Sequence, residues 1–215
     1  MNNTFTFGVV GAGPTFGLSA QSLGGSFQMR MITNESKHSR ELVHKSIFIV
    51  GQSATGKSFF LKNLIKDSVV AGSRVGILSS SGLIEYGVLV DTVNSMKTPE
   101  SVKVYQIDGP LSLEGAQAIA AEVDVIVVDD GDAIVGQGEN FHQLLDIWEG
   151  TLKIVTYQSL DSISKSPIYV ESILDRFDKQ VFFRNNKTFV TDFLLGDNLA
   201  GTLHHLERGA ALLCK

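Results

Sequence analysis

The chain has 215 residues, of which 43% are hydrophobic and 19% charged. That balance suits one α/β domain with a small appended segment and excludes wholesale disorder. A net charge of -5, with a pI near 5.5, excludes a broad basic face, so any contact with nucleic acid must be local or shared among several subunits.

Residues 1–45 are rich in Gly, Ser, Thr, Asn and Phe. Their glycines punctuate short apolar pieces such as Phe7-Gly8-Val9-Val10 and Phe27-Gln28-Met29-Arg30-Met31, which predicts short strands and turns. Asn34 to His44 reads as a connector or short helix. A second zone, residues 46–215, alternates strand and helix. Strands are expected over Ser46–Val50, Arg74–Leu78, Val102–Ile107, Val123–Val128, Leu152–Thr156 and Gln180–Arg184. Helices are expected over Lys57–Val70, Pro110–Ala121, Phe141–Trp148 and Ile168–Phe177. Asn185-Asn186 is a turn signal before Thr188–Leu194, which predicts a hairpin. A last helix over Leu199–Leu206, capped by Gly209, precedes a final strand over Ala210–Leu213. Short apolar strands alternating with helices imply an α/β fold with a mostly parallel central sheet and helices on both faces.

Three motifs carry chemistry. Gly51-Gln52-Ser53-Ala54-Thr55-Gly56-Lys57-Ser58 matches the phosphate-binding loop G-x-x-x-x-G-K-[ST] at every fixed position, after a strand and before a helix. Gly51 and Gly56 let the backbone wrap phosphate oxygens, and the helix N-terminus favours an anion. Lys57 places a charge at the β- and γ-phosphates of ATP, and the Ser58 hydroxyl is a Mg²⁺ ligand. The apolar run Val123–Val128 then delivers Asp129 and Asp130. Asp129 is expected to hold Mg²⁺ through its water shell, and Asp130 to polarise the attacking water. The plainer reading is an acidic turn, since Gly131-Asp132 continues the polar run; EF-hand spacing for Ca²⁺ is absent. Gln158, just past the fifth strand, lies where a γ-phosphate would be met, although an ordinary solvated loop residue fits its spacing equally. Arg176 and Arg184 are the candidates for an arginine given in trans to a neighbouring subunit; each taken alone is also an ordinary surface charge.

Other signals are weaker. Val9 to Ala20 imitates a dinucleotide fingerprint, but its third glycine is one residue late and Gly24-Gly25 interrupts the helix it requires. His204 and His205 are adjacent and point about 100° apart on a helix, so they form no chelating pair. Cys214 is the one cysteine, which excludes an intrachain disulfide or a Cys-based metal site. The opening residues lack a signal-peptide pattern, and no run reaches the roughly 18 apolar residues of a membrane span. The chain therefore reads as soluble.

The order of motifs resembles the FtsK–HerA superfamily of DNA-pumping ATPases. The resemblance rests on Gly51–Ser58, Val125–Asp130, Thr156-Tyr157-Gln158, the strand Gln180–Arg184 and the ending Leu203–Leu213. It implies a RecA-like P-loop fold, ATP and Mg²⁺ as cofactors, and Gln158 as a γ-phosphate sensor. Two departures stand out. The second acid is Asp130 where the family often has Glu, and no arginine opens the strand at Lys179-Gln180, where the family's trans arginine often lies. A bare motor of this size is similar to the genome-packaging ATPases of membrane-containing icosahedral viruses. That likeness implies a homo-oligomeric ring, hexamer or pentamer, moving double-stranded DNA at a capsid vertex beside capsid or viral membrane proteins. The location is then host cytoplasm and virion, and otherwise cytoplasmic. The alternatives are a conjugation or secretion ATPase moving single-stranded DNA or protein, and a non-motor P-loop switch or kinase. Against a kinase, residues 131–185 hold only Arg176 and Arg184; against a guanine switch, the Asn-Lys-x-Asp motif is absent.

Overall fold

A chain that reads as alternating apolar strands and amphipathic helices must bury both faces of its strands, and it does so in one central sheet. The computed structural model describes residues 4–6, 8–9, 17–19, 29–33, 36–96, 101–136, 139–186 and 188–214. Near the start lie β1 (Thr4–Thr6), β2 (Gly8–Val9), β3 (Gly17–Ser19), β4 (Met29–Thr33) and α1 (Ser36–Arg40). Then come β5 (Ile47–Val50), α2 (Lys57–Val70), β6 (Val75–Ser79), α3 (Leu83–Met96), β7 (Val102–Gln106), α4 (Leu113–Ala120) and β8 (Val125–Val128). The remainder is α5 (Gly131–Ile134), α6 (Glu139–Ile147), β9 (Leu152–Tyr157), α7 (Pro167–Leu174), β10 (Lys179–Phe183), α8 (Phe189–Leu195), α9 (Asp197–His204) and β11 (Ala210–Cys214).

Nine of these strands form one sheet in the order β2-β4-β11-β10-β5-β9-β8-β6-β7. Only β11 runs against its neighbours, pairing antiparallel with β10 and β4; the other described pairings in this sheet are parallel. β1 and β3 make a separate antiparallel pair. Every residue of β5, β6 and β8 is buried, as expected of parallel strands covered on both faces. Successive side chains point to opposite faces. Ile47 and Ile49 therefore join α2 and α3 in one core, and Phe48 and Val50 join α4 and α6–α9 in the other. Right-handed crossovers account for this split: β5-α2-β6-α3-β7 steps one way along the sheet, and β7-α4-β8, β8-α6-β9 and β9-α7-β10 step back. An aromatic cluster anchors the second core: the Tyr157 ring lies 5.6 Å from those of Phe48 and Phe141, and Phe48 lies 5.3 Å from Phe177.

Local chemistry sets the helix starts. Ser112 and Ser166 cap α4 and α7 by accepting the Gly115 and Tyr169 N–H groups, and Pro167 opens α7 where its missing N–H costs nothing.

Three expectations need correction. Thr188–Leu194 is helix, not a hairpin strand: Thr188 Oγ1 accepts the Thr191 N–H at 3.2 Å as an N-cap, and the edge of β10 is already taken by β11. Asn185 Oδ1 instead accepts the Asn186 N–H, turning the chain locally. The second correction is Gly209, which does not cap the preceding helix. That helix ends at His204. The third is α3: Ser80 to Tyr86 reads in the sequence as a pore-facing loop, yet helix begins at Leu83 with Tyr86 and Val93 buried, and exposed Ile84 and Val88 (97% and 81%) blur its periodicity. Asn34–His44 does contain a short helix, and the fingerprint-like stretch after Val9 lies outside the described residues except for strand β3. Among the described residues, no helix is long and apolar enough to cross a membrane.

Candidate functional site

The phosphate loop leaves β5 and enters α2, while the adjacent β9 sends its chain to the opposite face. Such a divergence opens a crevice beyond the strands' carboxyl ends. The loop is tied to three neighbouring segments. The Gly51 N–H donates to Tyr157 O at 3.2 Å, the Gln52 N–H to Arg184 O at 3.0 Å, and the Gly209 N–H to Thr55 O at 2.8 Å. This last bond is what Gly209 does instead of capping a helix. Inside the loop, Thr55 Oγ1 donates to Gln52 O at 2.8 Å. Gly56 has φ 109°, a left-handed conformation that a side chain resists, and it opens α2 with no side-chain cap. A Cβ on Gly51 would stand 2.6 Å from that of Phe183. The loop's first glycine is thus required by packing as well as by phosphate. Lys57 Nζ donates to the carbonyls of Gly51 and Gln52, so the ammonium lies along the loop's inner wall. Ser53, Ala54 and Ser58 line its exposed side.

The acids stand at the end of β8. Asp129 is 5% exposed, and both its oxygens are engaged. Tyr86 Oη donates to Oδ2 at 2.5 Å, and Thr156 Oγ1 donates to Oδ1 at 2.9 Å. The Asp130 N–H donates to the same Thr156 hydroxyl at 3.1 Å. Asp130 adopts φ 62°, a left-handed turn that Asp tolerates better than most residues. Gly131 makes that turn possible, since a Cβ there would meet Tyr157 Cε2 at 2.5 Å and Thr156 O at 2.7 Å. Ser80 donates to Asp130 Oδ2 at 3.3 Å. Asp132 Oδ2 accepts the Gln158 N–H at 2.9 Å, leaving the Gln158 side chain exposed at the mouth of the crevice.

Charge follows from this crowding. Burial lowers the Lys57 pKa, and Asp129, Asp130 and Asp132 oppose the shift. Burial and then Asp129 raise that of Asp130 above the usual carboxylate range, against the Ser80 hydrogen bond. Burial and Asp129 push the Tyr86 phenol far up, so it stays a donor.

Lys57, Asp129 and Asp130 thus come together as the sequence predicts, with Gln158 at the same edge. Arg184 is exposed beside the loop that its carbonyl supports. Arg176 is elsewhere: it precedes β10, at the opposite edge of the sheet, and pairs with Asp146 at 2.9 Å. Ser80 and Tyr86 read in the sequence only as the ends of a pore-facing loop, whereas the structure turns both hydroxyls onto the acids. Tyr86 is 43 residues from its partner and belongs to no motif, so sequence spacing carries no trace of it. The Thr156 hydroxyl was visible only as part of a string. Among the described residues, no three His, Cys, Asp or Glu side chains converge into a metal cage. The donors present, one buried carboxylate and one loop hydroxyl, fit a hard cation that completes its shell with water and phosphate, as Mg²⁺ does.

No protein-family model matches the chain, and no curated protein matches it. Among solved structures, it is similar to the genome packaging NTPase B204 of Sulfolobus turreted icosahedral virus 2 in complex with ATP-gammaS. The identity is 14% and the TM-score 0.58, over 79% of this chain and 91% of that one. The same protein with sulfate gives 14% and 0.58, over 80% and 90%. B204, the DNA-packaging ATPase of Sulfolobus turreted icosahedral virus, gives 15% and 0.57, over 78% and 91%. At these identities the likeness is one of fold. Fold and loop together define the class, a RecA-like P-loop NTPase. The B204 structures are those of viral genome-packaging NTPases, and what this chain shares with them at these identities is the fold.

Proposed function

We propose that this protein is an ATP-hydrolysing translocase that packages double-stranded viral DNA. One observation carries the hydrolytic part: Thr156 ties Asp129 and Asp130 together at the lip of a complete phosphate loop. Gly51 to Ser58 bind the triphosphate. Lys57 neutralises the β- and γ-phosphates, leaving its loop carbonyls as they arrive. Ser58 and Asp129 would hold Mg²⁺, which would supply neutralisation of phosphate charge. Asp130 accepts the proton of the attacking water, and Gln158 contacts the γ-phosphate.

The DNA-moving part rests on the fold shared with B204 and on a surface suited to self-assembly. Exposed Phe59, Leu83, Ile84 and Val88 lie on α2 and α3, while exposed Ile168, Phe189 and Phe193 lie on α7 and α8, which pack on the opposite sheet face. Copies stacked head to tail would cover both patches and close into a ring. In such a ring either Arg176, remote from its own phosphate loop, or Arg184 serves the neighbour. Residues 46–215 carry the nucleotide site. Of residues 1–45, β2 and β4 extend the same sheet through β11, so the first segment is built into the motor's sheet edge, where it would serve as an oligomerisation clasp or as a docking arm for capsid or membrane proteins. ATP hydrolysis by the assembled protein, measured with and without duplex DNA, tests the reading. Strong stimulation by duplex over single strands is expected; no stimulation of an assembled ring would sink it.

A further inference from the structure

A buried tyrosine hydroxyl usually finds a hydrogen-bond partner. Tyr86, fully buried, spends its single proton on Asp129 Oδ2, the carboxylate proposed to hold the metal. Thr156 takes the other oxygen. A carboxylate oxygen has two lone pairs, so each oxygen keeps one free, and the two donors together fix where those free pairs aim.

The donor sits on α3, and α3 is linked to the phosphate-loop helix. Lys62 of α2 pairs with Glu85 at 3.3 Å, and its ammonium lies 5.3 Å from the Tyr86 ring centre. At the start of α3, Gly82 takes a left-handed turn (φ 53°) against the side chain of Gln106 at the end of β7, whose Oε1 a Cβ would meet at 2.9 Å. Tyr86 therefore sits between the helix that carries Lys57 and the acid at the end of β8, on an element held from both sides.

We infer that Tyr86 is a positioning residue for the metal. It holds Asp129 so that the carboxylate's free lone pairs meet the water shell of nucleotide-bound Mg²⁺. Groups that orient a metal ligand typically change metal affinity 10- to 100-fold when removed. Because Tyr86 belongs to α3, a shift of α3 re-aims the carboxylate, and metal loading and α3 position are coupled.

This inference rests on the proposed nucleotide site, and the test separates the two. ATPγS binding is titrated in EDTA and again in Mg²⁺, for wild type and Tyr86→Phe. The variant should match wild type in EDTA within about twofold, while its gain from Mg²⁺ falls about tenfold. An unchanged gain, or an equal loss in EDTA and Mg²⁺, overturns the role of Tyr86. A wild-type protein that gains nothing from Mg²⁺ overturns the site reading as well. Wild-type protein labelled with 3-fluorotyrosine provides a measurement free of substitution at Tyr86. Its four tyrosines are assigned by changing the other three to Phe singly. The Tyr86 resonance should shift when Mg²⁺ is added to nucleotide-loaded protein, and an unmoved resonance overturns the inference.

Discussion

Lys57 and Asp130 face each other across the crevice with their pKa values displaced in opposite directions, and burial is the first cause of both. Each group is thereby pushed toward its neutral form, which makes the pair responsive to a bound polyanion and its cation. The pH dependence follows in sign. Asp130 must be ionised to accept a proton, and its carboxyl is raised. Hydrolysis should therefore fall as pH drops through a point above the usual aspartate range. Asp130→Asn should lower turnover by about 10² to 10⁴ and abolish that acid limb in a pH–rate profile. The stability sign runs the other way. Without nucleotide, the folded state binds this proton more readily than the unfolded chain, so stability gains as pH falls through the raised value. Lys57→Ala should remove hydrolysis and the thermal stabilisation by ATP, seen in a melting scan with and without ligand. At this scale the sequence was legible wherever chemistry imposes spacing, as from Gly51 to Ser58. It was silent on Tyr86, because nothing in a linear string marks a residue brought to Asp129 by a helix and a sheet.

Elements differ in how well their periodicity survives. β5, α2 and β8 were read to within two residues of their ends, since their apolar residues are buried and their boundaries follow from Gly and Lys chemistry. Thr188–Leu194 was misread. Its Val, Thr and Phe content favours strand by propensity, yet the cap at Thr188 and the burial of Val190, Thr191 and Leu195 make it a helix. Thr188→Ala should cost about 1 kcal/mol in urea unfolding; a hairpin strand at that site would lose no cap. The turn after β8 makes a sharper demand. Gly131→Ala must drive its methyl into the Tyr157 ring or the Thr156 carbonyl. Destabilisation of about 1–3 kcal/mol is expected, with a loss of hydrolysis exceeding what the remaining folded fraction explains, because Asp130 moves with the turn.

For the whole molecule, the sheet places the phosphate loop between β9 and β10, whose chains both leave on the face opposite α2, and two apolar patches stay uncovered on opposite layers. Ile84→Glu and Phe189→Glu, at 97% and 70% exposure, should each change the stability of the isolated chain by less than about 0.5 kcal/mol. Each should still reduce assembly, read as particle mass by light scattering. The sequence by itself determined the α/β class, the alternation of elements and the phosphate loop, because these depend on local period and on fixed motif spacing. Tertiary structure alone decided that Arg176 and Arg184 lie at opposite edges, that Gly209 braces the loop at Thr55, and that Tyr86 and Thr156 grip Asp129. The reason is physical. Strand order and crossover side depend on how whole faces are buried against one another, and contacts between residues tens of positions apart exist only once that burial is complete.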